Sequence, residues 1–353
     1  MVMHHLFIAF GRQSKKALEQ ARNRVAKAIN SNSKEIYFTS CGSESNNLAL
    51  KGIAYANKEK GNHIITTKIE HPAILETCKT LEKQGYIITY LNVDENGMIS
   101  LEELENEINE KTILISIMSA NNEIGTIQPI EQIGNIAKKH GVLFHTDSVQ
   151  AIGNIVIDVK KMNIDLLSMS AHKFYGPKGV GALYVKDGVN FEKIQNGGHQ
   201  EKDKRAGTEN IAGIVGLGKA IEIAYKNIEN YNKQLTGLRD YYISQVEEKI
   251  PDTKLNGHRS LRLPGNANIS FKNVIGEDLL LKLDENGICA STGSACSSGS
   301  SKPSHVLLAI GLNKEFSQGS LRITLGEENT KEDIDFLVEQ LVKIIPNLRK
   351  MNN

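Results

Sequence analysis

From residue 36 to residue 145 the chain alternates between short apolar runs and stretches whose apolar residues recur at helical spacing. Residues 36–39, 64–67, 87–93, 113–118 and 142–145 read as strands. Helical patterns separate them, from the Ser40–Cys41–Gly42–Ser43 turn to about residue 57, then over 74–83, 101–108 and 130–140. Strands joined through helices pair side by side in parallel, and a parallel sheet needs cover on both faces. The expectation is therefore an α/β fold. An amphipathic helix over about 13–29, with Leu18, Ala21, Val25, Ala28 and Ile29 on one face, precedes this alternation. Residues 1–10 carry no strand or cap signal.

Beyond residue 185 the pattern changes. Long helical stretches over 211–227 and about 234–249 lead into a second unit. It reads as strands over 268–271, 288–291 and 320–325, helices over 278–285 and 304–310, and a closing helix over 330–345. Thr330 and Asp333 resemble a cap pair in front of that last helix. A chain of 353 residues exceeds what one core serves well, so two domains are expected. Their bounds read as 12–228 and 229–353, after a leading segment 1–11.

Composition narrows the partners. A net charge of +1 gives no reason to expect nucleic acid or an anionic membrane as the main partner. No apolar run approaches the roughly 20 residues a membrane helix requires. The apolar stretch 6–10 is too short for a signal-peptide core. Four cysteines, Cys41, Cys78, Cys289 and Cys296, form no CxxC spacing and no disulfide framework, which suits a reducing cytoplasm.

Several turns between elements carry residues with chemical potential. The apolar run 164–169 enters a polar bend around Lys173, and residues 181–185 leave it. Gly176, Pro177, Gly179 and Gly181 follow Lys173 and keep bulk away from its amine. Such access suits a lysine that joins a planar carbonyl compound covalently; the same segment also fits a surface turn with a solvated lysine. Gly42 and Ser43 stand at a strand-to-helix turn where backbone N–H groups can hold a phosphate, or simply cap the helix. Asp147 ends a strand where open α/β sheets bind ligands, or caps the residues after it. His71 follows another strand, as a ligand-facing ring or as an ordinary turn residue. Together they supply what pyridoxal phosphate requires: a phosphate site, a carboxylate for the ring nitrogen, a ring to stack on and a lysine.

Five stretches in one order carry a more specific signal: Thr39-Ser40-Cys41-Gly42-Ser43-Glu44-Ser45-Asn46-Asn47, Glu70-His71-Pro72-Ala73, Asn121-Asn122-Glu123-Ile124-Gly125, His145-Thr146-Asp147-Ser148-Val149-Gln150 and Ser170-Ala171-His172-Lys173. They resemble the cofactor motifs of class V aminotransferase-fold enzymes, and within that group the chain resembles cysteine desulfurases of the NifS/IscS type. The resemblance runs from about residue 10 to residue 341. It implies the fold type I of pyridoxal-phosphate transferases: a mostly parallel seven-stranded sheet between helices, plus a smaller α+β C-terminal domain. It further implies that Lys173 bears the cofactor, Asp147 pairs with the ring nitrogen, His71 stacks on the ring, and Asn122 and Gln150 bond its 3′ oxygen. Gly42, Ser43, Ser170 and His172 would bind the phosphate, with Thr208 reaching across from a second subunit of a homodimer. Arg322 matches the position that takes the substrate carboxylate, a task a guanidinium performs with two parallel hydrogen bonds.

Cys296 separates the desulfurase reading from the wider family. It stands in Ser294-Ala295-Cys296-Ser297-Ser298-Gly299, a stretch of small residues that buries little apolar area and is expected to be a loop, about 291–303. The resemblance implies conversion of L-cysteine to L-alanine. Lys173 would move the α-proton, His71 would assist proton steps, and Cys296 would take the sulfur as a persulfide. The sulfur would pass to an acceptor protein such as an iron–sulfur scaffold. No resident metal is expected; Cys296 would touch an iron–sulfur cluster only in passing. Aminotransfer or selenocysteine lysis on the same scaffold would not need Cys296. The family's usual leading stretch of about thirty residues is absent here, so a cofactor-binding protein with little turnover is a further expectation.

Overall fold

The computed structural model describes residues 9–293 and 303–352; Cys296 lies outside them. Its contacts form two units. One comprises Met1–Leu91, Leu101–Ser119 and Gln128–Ile228; the other comprises Asn92–Ser100, Ala120–Ile127 and Glu229–Asn353.

The first unit opens with α1 (Ala9–Ala28) and β1 (Ile36–Thr39), followed by α2 (Gly42–Ala56), β2 (His63–Thr67), α3 (Pro72–Glu82) and β3 (Ile87–Leu91). It continues with α4 (Leu101–Glu107), β4 (Thr112–Ser116), α5 (Ile130–His140), β5 (Leu143–Asp147), β6 (Leu166–Ser170) and β7 (Gly181–Val185). The short α6 (Gln200–Asp203) and the longer α7 (Ile211–Lys226) complete it. The strands form the expected seven-stranded sheet, in the order β1-β7-β6-β5-β4-β2-β3. Strands β2 to β6 are mutually parallel, whereas β7 runs antiparallel to both β6 and β1. Two reversals cancel, so β1 points the same way as β6. Every residue of β2, β4, β6 and β7 is buried, as a sheet covered on both faces demands. The edge strand β3 instead exposes Ile87.

Helix α1 is described from Ala9, ahead of the expected start near residue 13, and its Gly11 is already buried. Its Leu18, Ala21 and Val25 are buried. A Cβ at Gly218 of α7 would stand 2.6 Å from the Ala21 Cα, so only glycine lets these two helices come so close.

The second unit is built from α8 (Ile228–Lys249), β8 (Thr253–Asn256), β9 (Asn266–Phe271), α9 (Gly276–Asp284), α10 (His305–Ala309), α11 (Lys314–Ser317), β10 (Ser320–Thr324) and α12 (Lys331–Asn352). Its sheet, β10-β9-β8, is antiparallel. Tyr242, Val246, Ile269, Phe271, Leu279, Leu321, Ile334 and Leu341 form the centre of its core. The cap pair in front of α12 forms: Thr330 N donates to Asp333 Oδ2 at 2.9 Å, and Asp333 N donates to Thr330 Oγ1 at 3.3 Å. The expected strand over 288–291 does not form. Only Ser291 pairs, through an isolated bridge to Arg322, and Cys289 is exposed. No described helix is long and apolar enough to cross a membrane.

Candidate active site

Because β1, β2, β4, β5 and β6 share one direction, their C-terminal ends open onto one edge of the sheet. There the chain delivers Gly42 and Ser43 after β1, His71 after β2, Asp147 at the end of β5, Gln150 just beyond it, and Ser170, His172 and Lys173 at and after β6. Open α/β sheets bind ligands at this edge because the loops diverge there and leave room.

Asp147 is the buried electrostatic centre. Its Oδ2 accepts from Asn46 Nδ2 at 2.6 Å and its Oδ1 from the Val149 N–H at 3.0 Å. Burial pushes the carboxyl up from its ordinary range. The Val149 and Asn46 bonds, and then the nearby charges of His71 and Lys173, pull it back toward the anion. Lys173 and His71 are thus electrostatic neighbours of Asp147, not residues on a distant face. Asp147 does cap its own turn through Val149, but no helix follows it.

Lys173 sits on a short 3-10 helix, Ala171–Phe174, that ends with Tyr175 in the left-handed region at φ 62°. Gly176 N then donates back to Ala171 O at 2.9 Å. A Cβ at Gly176 would meet the Ala171 Cβ and O at 2.9 Å each, so the turn closes this tightly only with glycine. Lys173 itself is exposed, while the adjoining Ala171 and Phe174 are buried. The flanking strands hold this turn in register, with Ser170 opposite Gly181.

His71 caps α3: its Nδ1 accepts the Ala73 N–H at 3.1 Å. That bond leaves Nδ1 without a proton and assigns the hydrogen of the neutral ring to Nε2. Its neighbour Glu70 is fully buried, accepting at Oε1 from Thr67 Oγ1 at 2.8 Å and from the Met118 N–H at 2.9 Å. Burial raises the Glu70 carboxyl to about 8. Beneath the edge, His145 is also fully buried, its ring nitrogens bonded to Ser116 Oγ at 2.9 Å and Ser168 Oγ at 3.0 Å. Burial lowers its pKa to about 3, so the ring is neutral.

Helix α2 starts at Gly42 behind Cys41, which makes no side-chain cap hydrogen bond. A Cβ at Gly42 would lie 2.6 Å from Val149 Cγ2, bringing the helix start against the residues that follow Asp147. Ser43 is exposed at that start. Ser170 Oγ and His172 Nδ1 are 3.0 Å apart, and burial followed by the charges of Lys173 and Lys178 lowers the His172 pKa. Glu44 accepts from the Ser40 N–H and pairs with Arg205 (Nε to Oε1, 2.7 Å), which ties the α2 turn to the segment leading to the exposed Thr208. Of the other cysteines, Cys78 is buried and its thiol pushed up to about 12, and Cys41 is half-buried at the α2 cap.

Asn122 and Arg322 belong to the second unit, where Arg322 Nη1 donates to the Asn122 carbonyl at 2.8 Å. The Arg322 backbone pairs with Ser291 in both directions. Among the residues around Asp147, sequence patterns gave no role to Asn46, Glu70 or His145. All three did stand in the quoted motifs, and that is the signal that could have found them.

The profile of the aminotransferase class-V family matches residues 3–337. A protein of Clostridium botulinum named "Cysteine desulfurase IscS" is 60% identical over 346 residues, 98% of this chain and 87% of its own length. A solved structure titled "NIFS-like protein" superposes with a TM-score of 0.91 at 39% identity, covering 97% of this chain and 91% of its own. Another, titled "SspA in complex with cysteine", superposes with a TM-score of 0.77 at 39% identity, covering 89% of this chain and 88% of its own.

Proposed function

We infer what this chain, which belongs to the aminotransferase class-V family, does from its relatives and its buried acid: it is a cysteine desulfurase. Pyridoxal phosphate is its cofactor, L-cysteine its substrate and L-alanine its carbon product. Similarity to a solved relative described as a complex with cysteine supports the substrate. The observation that carries the reading is Asp147, a buried carboxylate fed by two N–H donors, with Lys173 and His71 as electrostatic neighbours. A protonated pyridine nitrogen is the partner such an acid suits, since it offsets the cost of burying the charge. The uncapped start of α2 and the Gly42 contact on Val149 fit the phosphate arm of the same molecule.

When bound, the cofactor supplies an electron sink for negative charge at the substrate α-carbon. Lys173 Nζ is its attachment point and moves the α-proton. Asp147 holds a proton on the ring nitrogen, and Asn46 keeps Asp147 anionic and aimed. His71 stacks on the ring, its Nε2–H serving as donor in the proton steps. Gly42, Ser43, Ser170 and His172 hold the phosphate, together with Thr208 of the partner subunit in a homodimer. Gln150 and Asn122 bond the 3′ oxygen. Arg322 takes the substrate carboxylate and keeps its own orientation through the Asn122 carbonyl. Cys296, as a thiolate, takes the substrate sulfur: one carbon–sulfur bond is exchanged for one sulfur–sulfur bond, leaving a persulfide and alanine. The persulfide then serves an acceptor protein such as an iron–sulfur scaffold in the cytoplasm. In this reading residues 12–228 form the cofactor-binding domain and residues 229–353 carry the sulfur-accepting cysteine.

The test is to supply L-cysteine to the purified holoenzyme and measure alanine and protein-bound persulfide together. Equal yields of both in the first turnover support the reading, with Cys296→Ser keeping the cofactor spectrum but forming no persulfide. Pyruvate in place of alanine, or persulfide in the serine variant, would overturn it.

A further inference from the structure

Glu123 has no part in the chemistry above, yet it is one of the most enclosed acids in the second unit, only 3% exposed. Its Oε2 accepts a hydrogen bond from Ser304 Oγ at 2.5 Å. A Cβ on Gly293 would stand 2.6 Å from that same oxygen. Gly293 and Ser304 bracket residues 294–303, the segment that contains Cys296. One carboxylate oxygen therefore touches both stems of the segment.

The Ser304 hydroxyl explains why that oxygen must be an acceptor. Ser304 Oγ already accepts from the N–H groups of Val306, at 3.1 Å, and Leu307, at 3.5 Å, as the N-cap of α10. Its single proton is left for Glu123. Glu123 is fixed in turn by its backbone: its N–H donates to Asn121 Oδ1 at 2.8 Å, and its carbonyl accepts from Asn268 Nδ2 of β9 at 3.1 Å. The other stem rests on β10, where Gly293 N donates to Ser320 Oγ at 3.4 Å. His305 and Arg322 bear on Glu123 electrostatically, against a burial that favours its neutral form.

We propose that Glu123 is a positioning residue for sulfur transfer, clasping the two ends of the Cys296 segment through Ser304 Oγ and the space left by the missing Gly293 side chain. Holding Gly293 and Ser304 against one carboxylate oxygen fixes the points from which the chain leaves and returns around Cys296, and so bears on where its thiol is delivered. The proposal rests on the reading that Cys296 accepts the sulfur.

The experiment compares Glu123→Ala, Glu123→Gln and Gly293→Ala, the last alone and in the Glu123→Ala background. Persulfide formation on Cys296 in a single turnover should slow about tenfold in Glu123→Ala and in Gly293→Ala. Cysteine affinity, read from the change in the cofactor spectrum, should move less than about twofold. Glu123→Gln should recover most of the rate, because its amide oxygen can accept from Ser304. Gly293→Ala should add little once the Glu123 carboxylate is gone, since both changes break one contact. Amide exchange at Val306 and Leu307 should quicken in Glu123→Ala, a readout independent of turnover. Unchanged persulfide rates, additive losses in the double variant, or equal losses in cysteine affinity would overturn the clasp. Persulfide formation in Cys296→Ser would instead overturn the reading beneath it, so the two failures are distinguishable.

Discussion

Asn46 Nδ2 reaches Asp147 Oδ2 at 2.6 Å, joining the second turn of α2 to the end of β5 inside a fully buried layer. This is the shorter of the two bonds to the acid's side chain, and it couples the helix proposed to hold the phosphate to the carboxylate proposed to balance the ring. Removing it in Asn46→Ala lets the carboxyl drift further up and leaves one of its oxygens without a donor. A hydrogen bond to a charged group is worth about 1.5–3 kcal/mol, so cofactor affinity should fall about tenfold or more. Spectral titration of the apoprotein with pyridoxal phosphate checks this, and an unchanged affinity would remove Asn46 from the site.

Lys173→Ala should bind the cofactor only reversibly. The visible band of the reconstituted wild type should survive desalting, whereas that of the variant should not. Retention of the band by the variant would move the attachment to another lysine.

Glu70 predicts a pH signature in stability. Its carboxyl stays protonated in the folded chain up to about 8, against an ordinary value of 4.5. The folded state therefore holds a proton that the unfolded state releases as pH climbs past 4.5. The stabilisation is fully present below 4.5, declines as pH rises toward about 8 and levels off above it. Glu70→Gln keeps an acceptor for Thr67 and Met118 and cannot ionise, so its stability should overtake that of the wild type on going from pH 5 to pH 9. Urea midpoints of both proteins across that range check the sign.

His145 works in the opposite direction. Its ring is neutral in the folded chain down to about 3, against 6.5 ordinarily, so its contribution is whole above 6.5 and is lost as pH falls toward 3. His145→Gln, able to bond both Ser116 and Ser168, should lose less stability than the wild type between pH 7 and pH 4. Parallel acid-induced unfolding curves for the two proteins would contradict it.

Arg322→Ala should raise the KM for cysteine by about ten- to a hundredfold, with a smaller change in kcat. Arg322→Lys should restore only part of it, because an ammonium cannot offer the paired donors of a guanidinium. Steady-state rates of alanine formation measure both constants, and an unaltered KM in the alanine variant would exclude the role.

The parallel sheet was legible because its strands are continuous apolar runs, and the residues at its C-terminal edge because each lies beside its own strand. What escaped depended on contacts distant in sequence. His145 sits within an apolar strand, and its two serines are 29 and 23 residues away. Glu70 looks like a surface acid until Met118 donates to it from 48 residues on. Strand β8, Thr253–Asn256, has a single apolar residue, Leu255, and pairs along the edge that β9 offers it. The apolar character of residues 288–291 suggested a strand, but pairing needs a neighbouring edge in register, and only Ser291 finds one.

The return from β6 to β7 is the one place in the large sheet where adjoining strands follow each other directly and in opposite senses, with residues 171–180 between them. That connection also bears Lys173, the proposed attachment point. Side chains along a strand alternate faces, so a one-residue shift of β7 against β6 would exchange the side chains on its two buried faces and break the Ser170–Gly181 register. The lysine's address is thus fixed by counting as much as by chemistry, and this segment should tolerate changes of residue far better than changes of length.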